Sequence, residues 1–201
     1  MKIMGLDPSQ SCGWAIYDDQ LPISAMLCGV LKVKGVRGKF ELNAGQLAPK
    51  LVELIKAQGK PDFAVIEQAP RRPFSAGKNR GPEGLLAGMG VEQESEAAGA
   101  AMGGLQATLS TNQMAATCAA VLGAYKVPFI TMTDETWRKL SYGFGRNKGW
   151  GRAEWKKHAR QKCGQVRITV TNDDMAEACW IAFAGASSQE FKMLQMQRQA
   201  A

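Results

Sequence analysis

The stretch Lys2-Ile3-Met4-Gly5-Leu6-Asp7-Pro8-Ser9-Gln10-Ser11-Cys12-Gly13-Trp14-Ala15-Ile16-Tyr17 carries the fold in outline. Residues 2–7 read as a short strand, the turn-forming cluster from Pro8 to Gly13 as a tight reversal, and Trp14–Tyr17 as a second strand. The result is a hairpin whose first strand ends on an acid. After the break at Asp18-Asp19-Gln20-Leu21-Pro22, residues 23–34 predict a third strand, and Leu42, Leu47, Leu51, Leu54 and Ile55 recur at helical spacing. Pro49 interrupts that spacing, either as a kink or in the first turn of a shorter helix. Asp62-Phe63-Ala64-Val65-Ile66-Glu67 reads as a buried strand that again ends in a carboxylate.

Further along, residues 75–109 are rich in Gly, Ala and Glu without a sustained period and predict a mobile insertion or lid, not a second domain. Residues 110–125 have helical spacing, with Met114, Cys118, Val121, Leu122 and Tyr125 on the core side. A strand follows at Val127–Met132. Thr133 is a candidate N-cap for a short helix containing Trp137 and Leu140, with Asp134 and Glu135 favourably placed in its first turn. The Gly-rich Tyr142–Gly151 loop leads to a basic helix near 152–163, and Asn172 is the candidate cap of a last helix near 172–184. Strands first, then helices mixed with further strands, predict one α/β domain with a mixed sheet over 1–185, the 75–109 insertion within it, and a tail at 186–201. No internal repeat is present.

Composition narrows the class. A chain of 201 residues with 45% hydrophobic and 21% charged residues has enough length for one sizeable core, which excludes disordered and fibrous classes. Asp7 precedes any apolar run that could serve as a signal-peptide core, and no stretch approaches a membrane span, so a cytoplasmic protein is expected. Cys12, Cys28, Cys118, Cys163 and Cys179 are odd in number and lack C-x-x-C spacing, so they read as buried thiols. With His158 the sole histidine, zinc sites built on several histidines are excluded, one Ser/His or Cys/His pair stays open, and a catalytic metal has to be held mainly by carboxylates. His158 itself, within the basic helix, reads as a backbone or surface contact.

The net charge of +7 is unevenly distributed. Between Lys126 and Arg167 there are eleven basic residues (among them Arg138, Lys139, Arg146, Lys148, Arg152, Lys156, Lys157 and Arg160) against Asp134, Glu135 and Glu154. A second run contributes Arg71, Arg72, Lys78 and Arg80 with no acid. Clustered cations interleaved with Phe74, Phe144, Trp150 and Trp155 suit a nucleic-acid backbone with stacking groups; a solvated basic face is the simpler alternative.

Acids stand where a cation could use them: Asp7 and Glu67 at strand ends, and Asp173, Asp174 and Glu177 on the last helix. Asp174 and Glu177, three residues apart, share a helical face. Magnesium takes hard oxygen ligands, and two such ions can clamp the attacking water and the leaving oxygen of a phosphodiester. Helix capping and turn formation are the competing roles for these acids.

Gly5-Leu6-Asp7-Pro8-Ser9 with Cys12-Gly13-Trp14-Ala15, then Pro61-Asp62-Phe63-Ala64-Val65-Ile66-Glu67-Gln68, then Asp174-Met175-Ala176-Glu177-Ala178, in this order and spacing, resemble RuvC-type Holliday-junction resolvases of the ribonuclease H-like nuclease superfamily. That family opens on a G-I-D-P-G-x-x-x-x-G-W-A-like hairpin, carries I-E-Q at the end of its fourth strand and closes with D-x-x-D-A. The resemblance spans the chain apart from 75–109 and the tail. It implies a ribonuclease H-like mixed sheet flanked by helices and a crossover junction endodeoxyribonuclease acting on four-way or otherwise branched DNA. It further implies a homodimer and two Mg2+ ions, replaceable by Mn2+, held by Asp7, Glu67, Asp174 and Glu177. Two basic residues that assist at the scissile phosphate correspond to Arg138 or Lys139 and to Lys148. Phe74 is the candidate for the aromatic wedge at the junction centre, with Arg71, Arg72, Lys78, Arg80, Lys139, Arg146, Arg152, Lys156, Lys157 and Arg160 as DNA contacts.

The chain departs from the pattern in three places. Glu177 replaces an Asp, Ser9 replaces a Gly, and the connection after Glu67 is longer. Competing functions are a ribonuclease H-like nuclease on RNA–DNA hybrids or flaps, and a branched-DNA binding protein whose acids hold no metal. Asp7 followed by small residues also resembles the first phosphate loop of the actin-like ATPases, but that superfamily uses a second, similar domain of which these 201 residues show no repeat, and Gly143-Phe144-Gly145 lacks the rest of a phosphate-loop pattern.

Overall fold

The computed structural model describes residues 1–36, 38–69 and 94–200, and over 94–104 the backbone only. The elements run β1 (Lys2–Asp7), β2 (Ser11–Asp18), β3 (Leu27–Lys32), α1 (Phe40–Gln58), β4 (Phe63–Glu67), α2 (Glu94–Ala124), β5 (Phe129–Met132), α3 (Asp134–Tyr142), α4 (Arg152–Gln165), α5 (Asp173–Ala186) and α6 (Gln189–Gln199). One five-stranded sheet has the order β3-β2-β1-β4-β5. The hairpin partners β1–β2 and β2–β3 are antiparallel, whereas β1–β4 and β4–β5 are parallel, a pairing that needs crossover connections, here running through α1 and α2. This is the expected mixed sheet.

Side chains alternate across the sheet, and each face has its own core. Met4, Leu6, Ala64 and Ile66 pack on Leu47, Leu51, Leu54 and Ile55 of α1 and on Met114, Cys118, Val121 and Leu122 of α2. Ile3, Phe63 and Val65 point the other way, to a core shared with α3, α4, α5 and Phe191. The same alternation turns Asp7 and Glu67 towards α5.

α5 lies against the sheet because both surfaces are stripped of bulk. Ala176, Ala178, Ala182, Ala184 and Gly185 are buried, and Gly5 and Gly13 supply bare backbone opposite. A Cβ at Gly5 would collide with the Ala178 carbonyl and the Ala182 amide; at Gly13 it would collide with the Asp174 carbonyl. Those two glycines set how closely α5 approaches the strand that carries Asp7.

Thr133 caps α3 by accepting from the Thr136 amide at 3.2 Å, and Asn172 caps α5 by accepting from the Met175 amide at 2.8 Å, both as expected. The structure draws four boundaries more closely than the sequence does. The third strand begins only at Leu27, because Ile23–Ala25 form a short 3-10 helix after Pro22. α1 runs unbroken through Pro49, which sits on its exposed side. The segment expected to be an irregular insertion over 75–109 is helical from Glu94; its alanines favour helix without producing a one-sided apolar stripe. The expected tail folds as α6, anchored by buried Phe191 with its ring 5.6 Å from that of Phe63, and capped by Ser188. The remainder of the insertion, 75–93, with Arg71, Arg72, Phe74, Lys78 and Arg80, lies outside the described residues. Cys12, Cys118, Cys163 and Cys179 are buried as expected, while Cys28 is half-buried. Among the described residues no helix is long and apolar enough to cross a membrane.

Candidate active site

Asp7 and Glu67 end adjacent parallel strands, with Leu6 paired to Ile66 just before them. Sheets of this kind leave a crevice beyond the carboxyl ends of their strands, and ligands collect there. The first turn and a half of α5 faces that crevice because Asn172 starts the helix and Gly13 lets it close on the hairpin. Asp7, Asp174 and Glu177 thereby converge: one carboxylate oxygen from each lies within 4.8 Å of the others. Glu67 is outside that triad but close enough for its charge to interact with Asp7 and Glu177.

The electrostatics are those of acids crowded together and withdrawn from water. Burial, then the charges of Glu177 and Asp174, push Asp7 up to about 8. Burial, then Asp7, Glu177 and Asp134, hold Glu67 well above the usual carboxylate range, with Arg138 opposing. Burial also raises Glu177, against the pull of Lys156 and Arg138. Such a set, hard oxygen donors whose ionised forms repel one another, fits a divalent cation of the magnesium or manganese type.

Two grooves hold basic side chains, and one from each, Lys156 and Arg138, reaches Glu177 with its charge. Arg152, Ala153, Lys156, Lys157, Arg160 and Asp173 line one. Arg138, Arg146, Lys148, Asp134, Trp150 and Trp155 belong to the other.

Among solved structures, the chain is similar to the Thermus thermophilus RuvC structure, at 14% identity over 96% of this chain and 97% of that one, with a TM-score of 0.51. It is also similar to T. thermophilus RuvC in complex with Holliday junction substrate, at 13% identity over 92% and 93% of the two chains, with a TM-score of 0.52. The chain has a RuvC-type fold. The yeast mitochondrial Holliday junction resolvase Ydc2 is a more distant likeness, at 12% identity over 96% of this chain and 83% of that one, with a TM-score of 0.49. No family model matches the sequence, and no curated protein matches it.

Within this RuvC-type fold the basic residues divide into groups that sequence did not separate. Lys156, expected among the DNA contacts, turns inward: its Nζ lies 3.2 Å from Asp174, 3.8 Å from Glu177 and 3.9 Å from Asp173. Burial works against its charge, but Glu177 and Asp174 outweigh that and hold Lys156 above the ordinary lysine value. Arg138 is mostly buried, bonded to Asp134 at 2.7 Å and lying over the ring of Trp155 at 4.6 Å, and its charge reaches Glu67 and Glu177. Lys148 is exposed on the rim of the second groove. Arg146 pairs with Glu135 at 2.7 Å, Arg160 stands 3.6 Å from Asp173, Arg152 and Lys157 are exposed, and Lys139 is exposed outside both grooves.

The aromatics also differ from expectation. Phe144, Trp150 and Trp155 are packed on one another, with Trp150 and Trp155 centroids 4.8 Å apart, so they form a cluster instead of open stacking platforms. His158 is part of it, 5.1 Å from Trp150 and 4.8 Å from Tyr142 by centroid, with Nε2 buried and unbonded among the described residues. The surface role expected for it gives way to packing, because α4 turns that face towards the Gly-rich loop. Sequence reading also missed Asp134: a first-turn acid by position, it reaches Arg138 and raises Glu67. Its i,i+4 spacing to Arg138 was the available signal.

Proposed function

We propose that this protein is a divalent-metal-dependent endonuclease that hydrolyses phosphodiesters in four-way junctions or other branched DNA. The convergence of Asp7, Asp174 and Glu177, with Glu67 alongside, at the strand ends of a RuvC-type fold carries this reading. Asp7, Asp174 and Glu177 would hold Mg2+ or Mn2+, and Glu67 would complete a site for a second ion. Bound there, such ions would lower the pKa of a water and stabilise the departing oxygen. Arg138, fixed by Asp134, directs positive charge at the acids and is suited to the scissile phosphate. Lys148, exposed on the adjoining rim, is suited to the neighbouring backbone. Arg152, Lys157 and Arg160 would bind phosphates electrostatically. One of the two similar T. thermophilus RuvC structures is a complex with Holliday junction substrate, which supports branched DNA as the ligand. A homodimer would match the two-fold symmetry of such a junction with two sites.

The test is incubation of purified protein with synthetic four-way junctions, linear duplex and RNA–DNA hybrid, with Mg2+ or with chelator. Metal-dependent cutting of the junction in preference to the other two, leaving 5′-phosphate and 3′-hydroxyl ends, is the expected result. Preferential cutting of the hybrid would move the protein to the ribonuclease H-like alternative. The Lys156 ammonium already offsets part of the acids' charge, which gives the non-catalytic alternative a specific foothold; junction binding without any metal-dependent cutting would establish it.

A further inference from the structure

Lys156 is the one basic side chain among the described residues that ion-pairs with Asp174 and Glu177, two of the three converging carboxylates. It arrives from a separate element: α4 packs against α5 and brings Lys156 to the acids. Its neighbours on the same helix face, Arg152 and Arg160, remain exposed. The inward turn of Lys156 is therefore specific to that position.

An ammonium and a divalent ion make incompatible demands on the same oxygens. The ammonium donates hydrogen bonds at about 3 Å, whereas Mg2+ or Mn2+ needs the carboxylate lone pairs at about 2.1 Å. A unit charge held at about 4 Å from a divalent ion also repels it strongly. Resting on the metal-site reading above, we propose that Lys156 is an internal competitor for the metal site: its ammonium holds Asp174 and Glu177 in place and has to withdraw when a divalent cation takes them. The groove lined by Arg152, Lys157 and Arg160, which Lys156 also borders, is open to receive it. The lysine would thus preserve the geometry of α5's first turn and set a threshold cation concentration for loading the site.

Calorimetric titration of the intact protein with Mn2+ and with Ca2+, without DNA, tests this directly. Lys156→Met should bind the ions about tenfold or more tightly than the wild type, because one competing charge is gone. Its melting temperature in chelator should fall and should recover more on adding metal than that of the wild type does. In the wild-type protein, the side-chain NMR signal of Lys156 should shift on titration with Ca2+ in step with the calorimetric curve, a reading that needs no variant. Unchanged or weaker ion affinity in Lys156→Met, or a Lys156 signal indifferent to saturating Ca2+, would overturn the competition while leaving the metal site intact. If neither protein bound either ion, the metal-site reading would fail first and the competition with it.

Discussion

Asp7 and Glu67 show how much one carboxyl can bear. Each is raised by burial and then by its acidic neighbours, so charge accumulates there only when a cation offsets it. Asp7→Asn and Glu67→Gln keep shape and lose charge; each should lower junction cleavage by about 100-fold or more while binding survives. Full cleavage by either variant in a gel assay would remove that residue from the site. His158 responds to pH in the other sense. Burial first, then Lys162, hold it below its ordinary value of 6.5, so the unfolded chain takes up the proton first as pH falls. Its contribution to stability is therefore complete above 6.5 and is lost as pH drops towards the lower folded value. Wild type should lose more melting temperature than His158→Phe between about pH 7.5 and about pH 5.5; parallel curves would show that His158 does not titrate with folding.

Elements decide which of these residues meet. Asn172 and the three-residue spacing of Asp174 and Glu177 were readable in sequence because a cap and a helical face are local properties. The inward path of Lys156 was not, since it depends on how α4 crosses α5, and its four-residue spacing with Arg152 and Arg160 describes an outward face equally well. The edge-to-face and tilted packing of Phe144, Trp150 and Trp155 is hidden for the same reason: aromatic residues in a basic loop look alike in sequence whether they face solvent or one another. Gly13→Ala tests the docking of α5. The added methyl meets the Asp174 carbonyl, so the variant should lose about 1–3 kcal/mol in chemical denaturation and bind Mn2+ more weakly. Unaltered stability and ion affinity would mean that α5 can shift without disturbing the acids. On α4, replacing Arg152 and Arg160 together by Gln should lessen the dependence of junction affinity on salt by about 0.9 in log–log slope for each phosphate that is no longer neutralised. An unaltered slope would leave that groove a solvated face.

At the scale of the molecule, the opening hairpin announced the mixed sheet because alternation and turn residues are short-range signals, and acids at two strand ends marked the crevice. α6 left no such signal; Phe191 is its buried anchor, helped by Leu194, by Gln195 donating to Asp19 and by Arg198 pairing with Asp62, each of these two contacts at 2.6 Å. Phe191→Ala should cost about 3–5 kcal/mol, measured by denaturant unfolding, and little change would show that the second sheet face closes without it. The order of the acids along the chain has a further consequence. The β1–β2 pairing is local, whereas Asp174 and Glu177 reach Asp7 only after β3, β4, β5 and the four helices α1 to α4 have been laid down. Local contacts form fast and distant ones late. In refolding from denaturant, a luminescent Tb3+ probe of the acid crevice should therefore light up after the bulk of the helical signal, and simultaneous appearance would contradict that order. During synthesis, a ribosome that has delivered the whole sheet has delivered only Asp7 and Glu67 of the four acids; on the nuclease reading proposed above, a nascent chain would be harmless to the nucleic acid around it until Asp174 and Glu177 arrive on α5.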